Sequence, residues 1–80
     1  MKTITHQEYL DMSFSKQNKF TGIVKYPRGT IIYFKNGRYH REDGPAVILS
    51  SNNMQYWIYG EHTTKEAVEL LRDMIKLKGI

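Results

Sequence analysis

The sequence predicts a small α+β domain: a short N-terminal helix, an antiparallel β-meander of four or five strands, and an amphipathic C-terminal helix packed on the sheet. Three observations carry this expectation. Between residues 20 and 62, runs of β-branched and aromatic residues alternate with turn chemistry. On both sides of that stretch the apolar residues return at three- and four-residue spacing behind capping signals. The whole chain is 80 residues, of which 40% are hydrophobic, enough for one ordered core and no more. The boundaries read as a helical cap over 4–12, a sheet over 20–62 and a helix over 63–79, forming one domain, 1–80.

The N-terminal helix follows from Thr5 and Glu8. They have the S/T-x-x-E spacing in which a hydroxyl and a carboxylate each satisfy an orphan amide at a helix start. Ser13 to Asn18 is polar and reads as a loop. The strand runs are Ile23 to Tyr26, Thr30 to Phe34, Ala46 to Leu49 and Met54 to Tyr59. Their separators are Pro27-Arg28-Gly29, Asn36-Gly37, Asp43-Gly44-Pro45 and Ser51-Asn52-Asn53. Asn36-Gly37 is the clearest, because a two-residue type I′ turn needs positive φ at both positions. Such short connections imply antiparallel pairing throughout. In the last segment Thr63 and Glu66 repeat the capping-box spacing, and Ala67, Leu70, Leu71, Met74 and either Ile75 or Lys78 form the stripe, with Gly79 as the stop.

Charge is unevenly placed. The formal net charge is +4, yet no acid lies between Asp11 and Glu42, where seven bases and six aromatics fall. That segment is +7 and the remainder −3. Cations neutralise phosphates and flat rings stack on unpaired bases, so a segment of this kind suits a nucleic-acid surface. The residues expected to contact nucleic acid or another anionic partner are Lys25, Arg28, Tyr33, Lys35, Arg38, Tyr39 and Arg41. The competing expectation is that the rings are core and the bases are solvated outer faces of strands.

Catalysis is not expected. His40-Arg41-Glu42-Asp43 is the densest polar cluster, but in a strand neighbouring side chains alternate between faces, and Arg41 with Asp43 would tie down the turn before Gly44-Pro45. Cysteine is absent, so a thiol nucleophile and thiolate metal sites are excluded. His40 and His62 alone do not have metal-site spacing, and neither a metal nor a cofactor is expected. With no apolar run near ~20 residues and no signal-like start, the expectation is a cytoplasmic protein with no membrane partner.

Residues 22–39 and 44–62 can be overlaid with one inserted residue, placing Val24 on Ala46, Ile32 on Met54 and Asn36-Gly37 on Tyr59-Gly60. A period of 22 or 23 residues is one hairpin, which must stack on a neighbour to bury its apolar face. Asn36-Gly37-Arg38-Tyr39-His40-Arg41-Glu42-Asp43-Gly44-Pro45-Ala46 resembles the signature of the HREDGPA-type MORN-like β-hairpin repeats found in some bacterial, giant-virus and bacteriophage proteins. Tyr56-Trp57 before Tyr59-Gly60 looks like the aromatic half of the same repeat, although Glu61-His62-Thr63-Thr64 replaces a second HREDGPA. The resemblance covers about half the chain. It implies a non-catalytic interaction module, and among its relatives are antitoxin-like proteins. The small size and basic charge are also similar to those of early proteins of T-even-like phages that block host defences. The implied partners are a host toxin or defence protein, RNA, or both, in the host cytoplasm if the chain is phage-encoded. The alternatives are direct binding of single-stranded RNA or DNA without an inhibitory partner, and a structural repeat module that mediates homo-oligomerisation, such as a homodimer through a sheet edge.

Overall fold

A computed structural model describes residues 2–78, with side chains to residue 75. Ten elements follow one another: β1 (Thr3–Thr5), α1 (His6–Asp11), α2 (Phe14–Gln17), β2 (Gly22–Lys25), β3 (Ile31–Lys35), β4 (Arg38–Tyr39), β5 (Val47–Ile48), β6 (Met54–Ile58), β7 (Glu61–Thr63) and α3 (Lys65–Lys78). The α+β class is as expected. The sheet, however, is mixed and has seven strands, in the order β1-β2-β3-β5-β6-β7 with β4 also on β3. β1 pairs parallel to β2, Ile4 opposite Val24, which corrects the all-antiparallel expectation. The connection that permits this parallel pair is α1 with α2, a crossover of the kind parallel strands require.

The expected capping box forms. Thr5 Oγ1 accepts the Glu8 N–H at 3.1 Å while Glu8 Oε1 accepts the Thr5 N–H at 3.1 Å. The helix therefore starts at His6, and the residues before the cap, including Ile4, are free to be a strand. Residues 13–18 are not a plain loop: the Ser13 hydroxyl accepts the Lys16 N–H and starts α2. Gln17 Nε2 then donates to Tyr9 O at 2.9 Å, closing the C-terminal end of α1.

Register assigns the two faces of the sheet. Val24 lies opposite Ile32, Ile32 opposite Val47, and Gly22 opposite Phe34. With Ile4 and Phe20 these side chains are the buried core, against which Tyr9 of α1 and its C-cap residue Met12 pack. A row of rings crosses this face: Tyr9 stacks on Phe34 at 5.3 Å, Phe34 meets Tyr39 edge-on at 5.3 Å, and Tyr39 meets Trp57 edge-on at 5.3 Å. Burial raises the pKa of the Tyr9 and Tyr26 hydroxyls above the ordinary phenol value, and the nearby Tyr39 adds in the same sense.

The opposite face carries Ile23 paired with Tyr33, Lys25 paired with Ile31, and Ile31 paired in turn with Ile48. α3 crosses the far end of this second face. Its Val68 is fully buried and shares a small cavity with Tyr56 and Pro45. The helix begins one residue later than the spacing suggests: Thr64 Oγ1 accepts the Ala67 N–H at 3.2 Å, and Thr63 is instead the end of β7, opposite Tyr56. Only part of the expected apolar stripe is used. Val68, absent from that stripe, is the buried contact, whereas Leu70 is 62% and Met74 48% exposed. The expected stop at Gly79 lies outside the described residues.

The hairpins β2-β3 and β5-β6 are related by a constant shift of 23 residues, without the insertion expected from the sequence. Tyr26 N donates to Thr30 O and Gly29 N to Tyr26 O, as Leu49 N donates to Asn53 O and Asn52 N to Leu49 O. The turn residues Gly29 and Asn52 both have positive φ, and the later pairs Asn36-Gly37 and Tyr59-Gly60 have matching φ values of 50° and 77°, and 48° and 81°. Val24 therefore corresponds to Val47 rather than to Ala46.

Gly37 is needed twice over. Its φ is +77°, and a Cβ there would lie 2.5 Å from Asn18 O. Its N–H also donates to Phe20 O at 2.9 Å, joining the β3-β4 turn to the segment after α2. Gly37→Ala is expected to lower stability by about 1–3 kcal/mol, the range for a strained backbone position, before any cost of the clash. Thermal or urea unfolding followed by far-ultraviolet circular dichroism measures this directly; an unchanged midpoint would contradict it.

Candidate functional site

The site is built around an excursion of the chain. β4 and β5 lie end to end along the same edge of β3, and His40 N donates to Tyr33 O while Tyr33 N donates to Ala46 O. Residues 41–45 bulge out between those two bonds. On the other side Gly60 N donates to Tyr39 O, Arg41 N to Trp57 O and Ala46 N to Gln55 O, so β6 closes on both flanks of the bulge.

Arg41 holds the bulge shut. Its Nε lies 2.8 Å from Asp43 Oδ1, its Nη1 donates to Pro45 O at 3.2 Å, and its guanidinium lies 4.1 Å over the Tyr33 ring. Gly44 leaves the room: a Cβ there would approach the Arg41 guanidinium carbon to 3.0 Å. The Arg-x-Asp-Gly-Pro order thus has a direct geometric reading, in which charge pairing, a carbonyl acceptor and a missing side chain fit one planar group.

His40 is 6% exposed and anchors the neighbouring turn. Its Nδ1 accepts the Tyr59 N–H at 2.9 Å, and its ring lies 4.1 Å from the Tyr59 ring. An acceptor nitrogen carries no proton, so the ring is fixed as the Nε2–H tautomer. Tyr59, at φ 48°, is thereby held in the turn between β6 and β7. Its hydroxyl accepts from Lys35 Nζ at 3.3 Å, which places Tyr59 on the same side as Lys35 and away from Trp57. Trp57 and Tyr59, two residues apart, lie on different faces because the turn begins between them.

Of the seven residues singled out from the sequence, the structure brings Tyr33, Lys35 and Arg41 together in the wall of a cavity of about 530 Å³. Arg38 pairs with Lys35 at the edge of the same face. Lys25 is on that face too, two positions along the strands from Tyr33, opposite Ile31. Arg28 stands apart at the exposed tip of the β2-β3 turn. Tyr39 belongs to the other face, where its ring is enclosed between Phe34 and Trp57, and it does not join the group. The remaining wall comes from Thr21, Phe34, His40, Glu42, Asp43 and, from α3, Arg72 and Ile75. Arg72 is not legible in the sequence as a wall residue, since a lone helix arginine has no local pattern.

Among the described residues no cluster of His, Asp and Glu could hold a metal ion. His40 and His62 do not meet, because His62 packs against Trp57 at 5.0 Å on the opposite face. No helix among those residues is long and apolar enough to cross a membrane. Compared with protein-family models, with curated proteins and with solved structures, the chain finds no match in any of the three.

His40 and Glu42 make opposite predictions on substitution. His40→Ala strands the Tyr59 N–H and empties a packed position, with an expected loss of about 2–4 kcal/mol. Glu42 is half-exposed, its carboxylate making only a 3.2 Å approach to His40, so Glu42→Gln should stay within about 0.5 kcal/mol of the parent. Denaturant midpoints for the two variants test this; equal losses would remove the anchoring role assigned to His40.

Proposed function

We propose that this chain is a non-catalytic binding protein of the antitoxin-like kind, which blocks a host toxin or defence nuclease by engaging RNA through the open face of its sheet. The observation that carries the reading is the sorting of charge by strand. β1 to β6 contain no acidic residue, and Lys25, Tyr33, Lys35 and Arg38 emerge on the face that α1 leaves uncovered. α3 covers only the far end of that face, so a flat, basic, ring-bearing strip stays accessible beside it. Strips of this kind bind single strands by neutralising phosphates and stacking bases.

Binding fits the polar cluster better than catalysis does. A general base needs a free lone pair near the reacting proton, and the His40 lone pair is committed to the Tyr59 amide. The resemblance to MORN-like hairpin repeats supports the same reading, and so does the constant 23-residue shift between the two hairpins with their matching turn bonds. Such repeats present surfaces.

A second reading, self-association, is favoured by Leu70 and Met74, which lie exposed on α3. Size-exclusion chromatography with light scattering decides it: a dimer that dissociates on Leu70→Glu is expected, and a monomer at high concentration removes it.

For the main reading, affinity for a labelled RNA single strand should fall with salt at a log-log slope of about −2 to −3, from about three to four neutralised phosphates. Lys25→Ala should reduce that slope by about 0.7. A captured nuclease-type partner whose retention on the tagged chain needs RNA would support the inhibitory role; no strand binding at low salt would end the RNA part of it.

A further inference from the structure

The open face offers one ring that the fold leaves uncovered on a side. Of the six tyrosines, all within the described residues, Tyr59 alone is exposed, at 46%. Tyr33, expected from the sequence to stack, lies under the Arg41 guanidinium at 4.1 Å, and Tyr39 is enclosed between Phe34 and Trp57 on the other face. The ring of Tyr59 rests with one side against His40, 4.1 Å away and tilted by 33°. A flat ring backed on one side and open to solvent on the other has the form of a base-stacking platform.

The backbone points to the same residue. Tyr59 has φ 48°, a left-handed conformation in which Asn is enriched and a bulky aromatic is an outlier. In the matching turn of the first hairpin the equivalent position, with φ 50°, is Asn36. Turn chemistry therefore favours Asn at both positions, and Tyr59 is held in its turn by His40 Nδ1, which accepts its N–H at 2.9 Å. Strained residues that surrounding contacts must hold in place cluster at functional sites. The charges beside the ring suit a phosphate backbone. Lys35 Nζ lies 3.3 Å from the Tyr59 hydroxyl and 5.3 Å from the ring centroid, toward the hydroxyl end. Arg38 packs its stem against the next residue, since a Cβ on Gly60 would lie 3.5 Å from Arg38 Cβ and Cδ. Among the described residues the ion pairs are His40 with Glu42 and Arg41 with Asp43, so neither Lys35 nor Arg38 is neutralised by an acid.

We propose that Tyr59 is the platform on which the open face stacks one unpaired RNA base, with Lys35 and Arg38 taking the adjoining phosphates. The inference rests on the reading of that face as one that engages single-stranded RNA, and it adds the residue that meets a base rather than the backbone.

The test is fluorescence anisotropy of a labelled, unstructured RNA single strand titrated with the full chain at low ionic strength. A strand of equal length built from abasic tetrahydrofuran phosphates is titrated in parallel. Tyr59→Asn supplies the residue that the turn favours and removes the ring, so the fold should be retained by circular dichroism while RNA affinity falls about tenfold. The log-log salt slope should stay at the parent's value, because the ring neutralises no phosphate. Tyr59→Phe keeps the ring and should remain within about twofold of the parent. The abasic strand should bind the parent and Tyr59→Asn equally. Should Tyr59→Asn fail to fold, Tyr59→Gly, equally suited to a positive φ, carries the same test with the same loss expected. A folded ringless variant of unchanged RNA affinity, or one that weakens both strands alike, overturns the platform and leaves the open-face reading standing. So does a parent chain that binds the abasic strand as tightly as RNA. Loss of a nuclease-resistant protein partner by Tyr59→Asn, with RNA affinity unchanged, makes the ring a protein contact and overturns the platform as well. No binding of the RNA at low salt ends both readings.

Discussion

The backbone leaves the sheet at Arg41 and returns at Ala46, and the pairing on both sides depends on that excursion staying closed. β3 gives one edge to β4 before the excursion and to β5 after it, while β6 bonds to both flanks. If residues 41–45 were slack, β4 and β5 could slide independently along β3, and a one-residue slip would turn Val47 out of the core. The Arg41 guanidinium prevents this by bonding Asp43 and the Pro45 carbonyl together. Because the ion pair is largely exposed, its Coulombic part is weak. The constraint is mostly steric and directional: a planar group fills the loop, and Gly44 alone leaves space for it.

The same excursion separates the work of the two faces. On the first face, aromatic rings run from Tyr9 through Phe34 and Tyr39 to Trp57 and His62, each touching the next, and this chain of contacts does for the strands what a larger aliphatic core does in a bigger domain. Tyr39 is spent there. On the second face the rings are fewer and are paired with cations: Arg41 on Tyr33 and Lys35 on Tyr59. Cation-ring pairs of this kind stabilise little at an exposed site, but they keep long side chains ordered and pointing along the face. Order of that sort lowers the entropy lost when a ligand is bound.

How far the sequence revealed this depends on the range of the interaction. The Thr5-Glu8 box and the Asn36-Gly37 turn were legible because both partners lie within three residues. β1 was not: Thr-Ile-Thr is too short to show alternation, and only its pairing with Val24, twenty residues on, makes it a strand. α2 hid for a related reason, since four residues show no period and the Ser13 cap looked like loop polarity. The overlay of the hairpins slipped by one residue because similarity of type, Val24 to Ala46 and Ile32 to Met54, outweighed facing. Constant turn bonds show that Ile32 corresponds to Gln55, an apolar position answering to a polar one. Composition picks out the seven candidate residues but is blind to faces; strand parity separates Tyr39 from Tyr33 and Lys35.

Small size makes the second face what it is. A chain of this length buries roughly 60% of its extended surface, which leaves little helix for covering both faces of one sheet. Here α1 covers the first face through Tyr9, and α3, with Val68 as its buried contact, lies over the β5-β6 end of the second. A helix set across one end of a sheet leaves a step between its flank and the uncovered strands. The cavity lies in that step, with Arg72 and Ile75 as one wall and Tyr33 and Lys35 as the other. A domain that sealed both faces would have no such concavity. A domain without α3 would present an open sheet with no second wall to close on a ligand. The partial covering is therefore what turns one end of a flat basic strip into a concavity, with His40 in its lining.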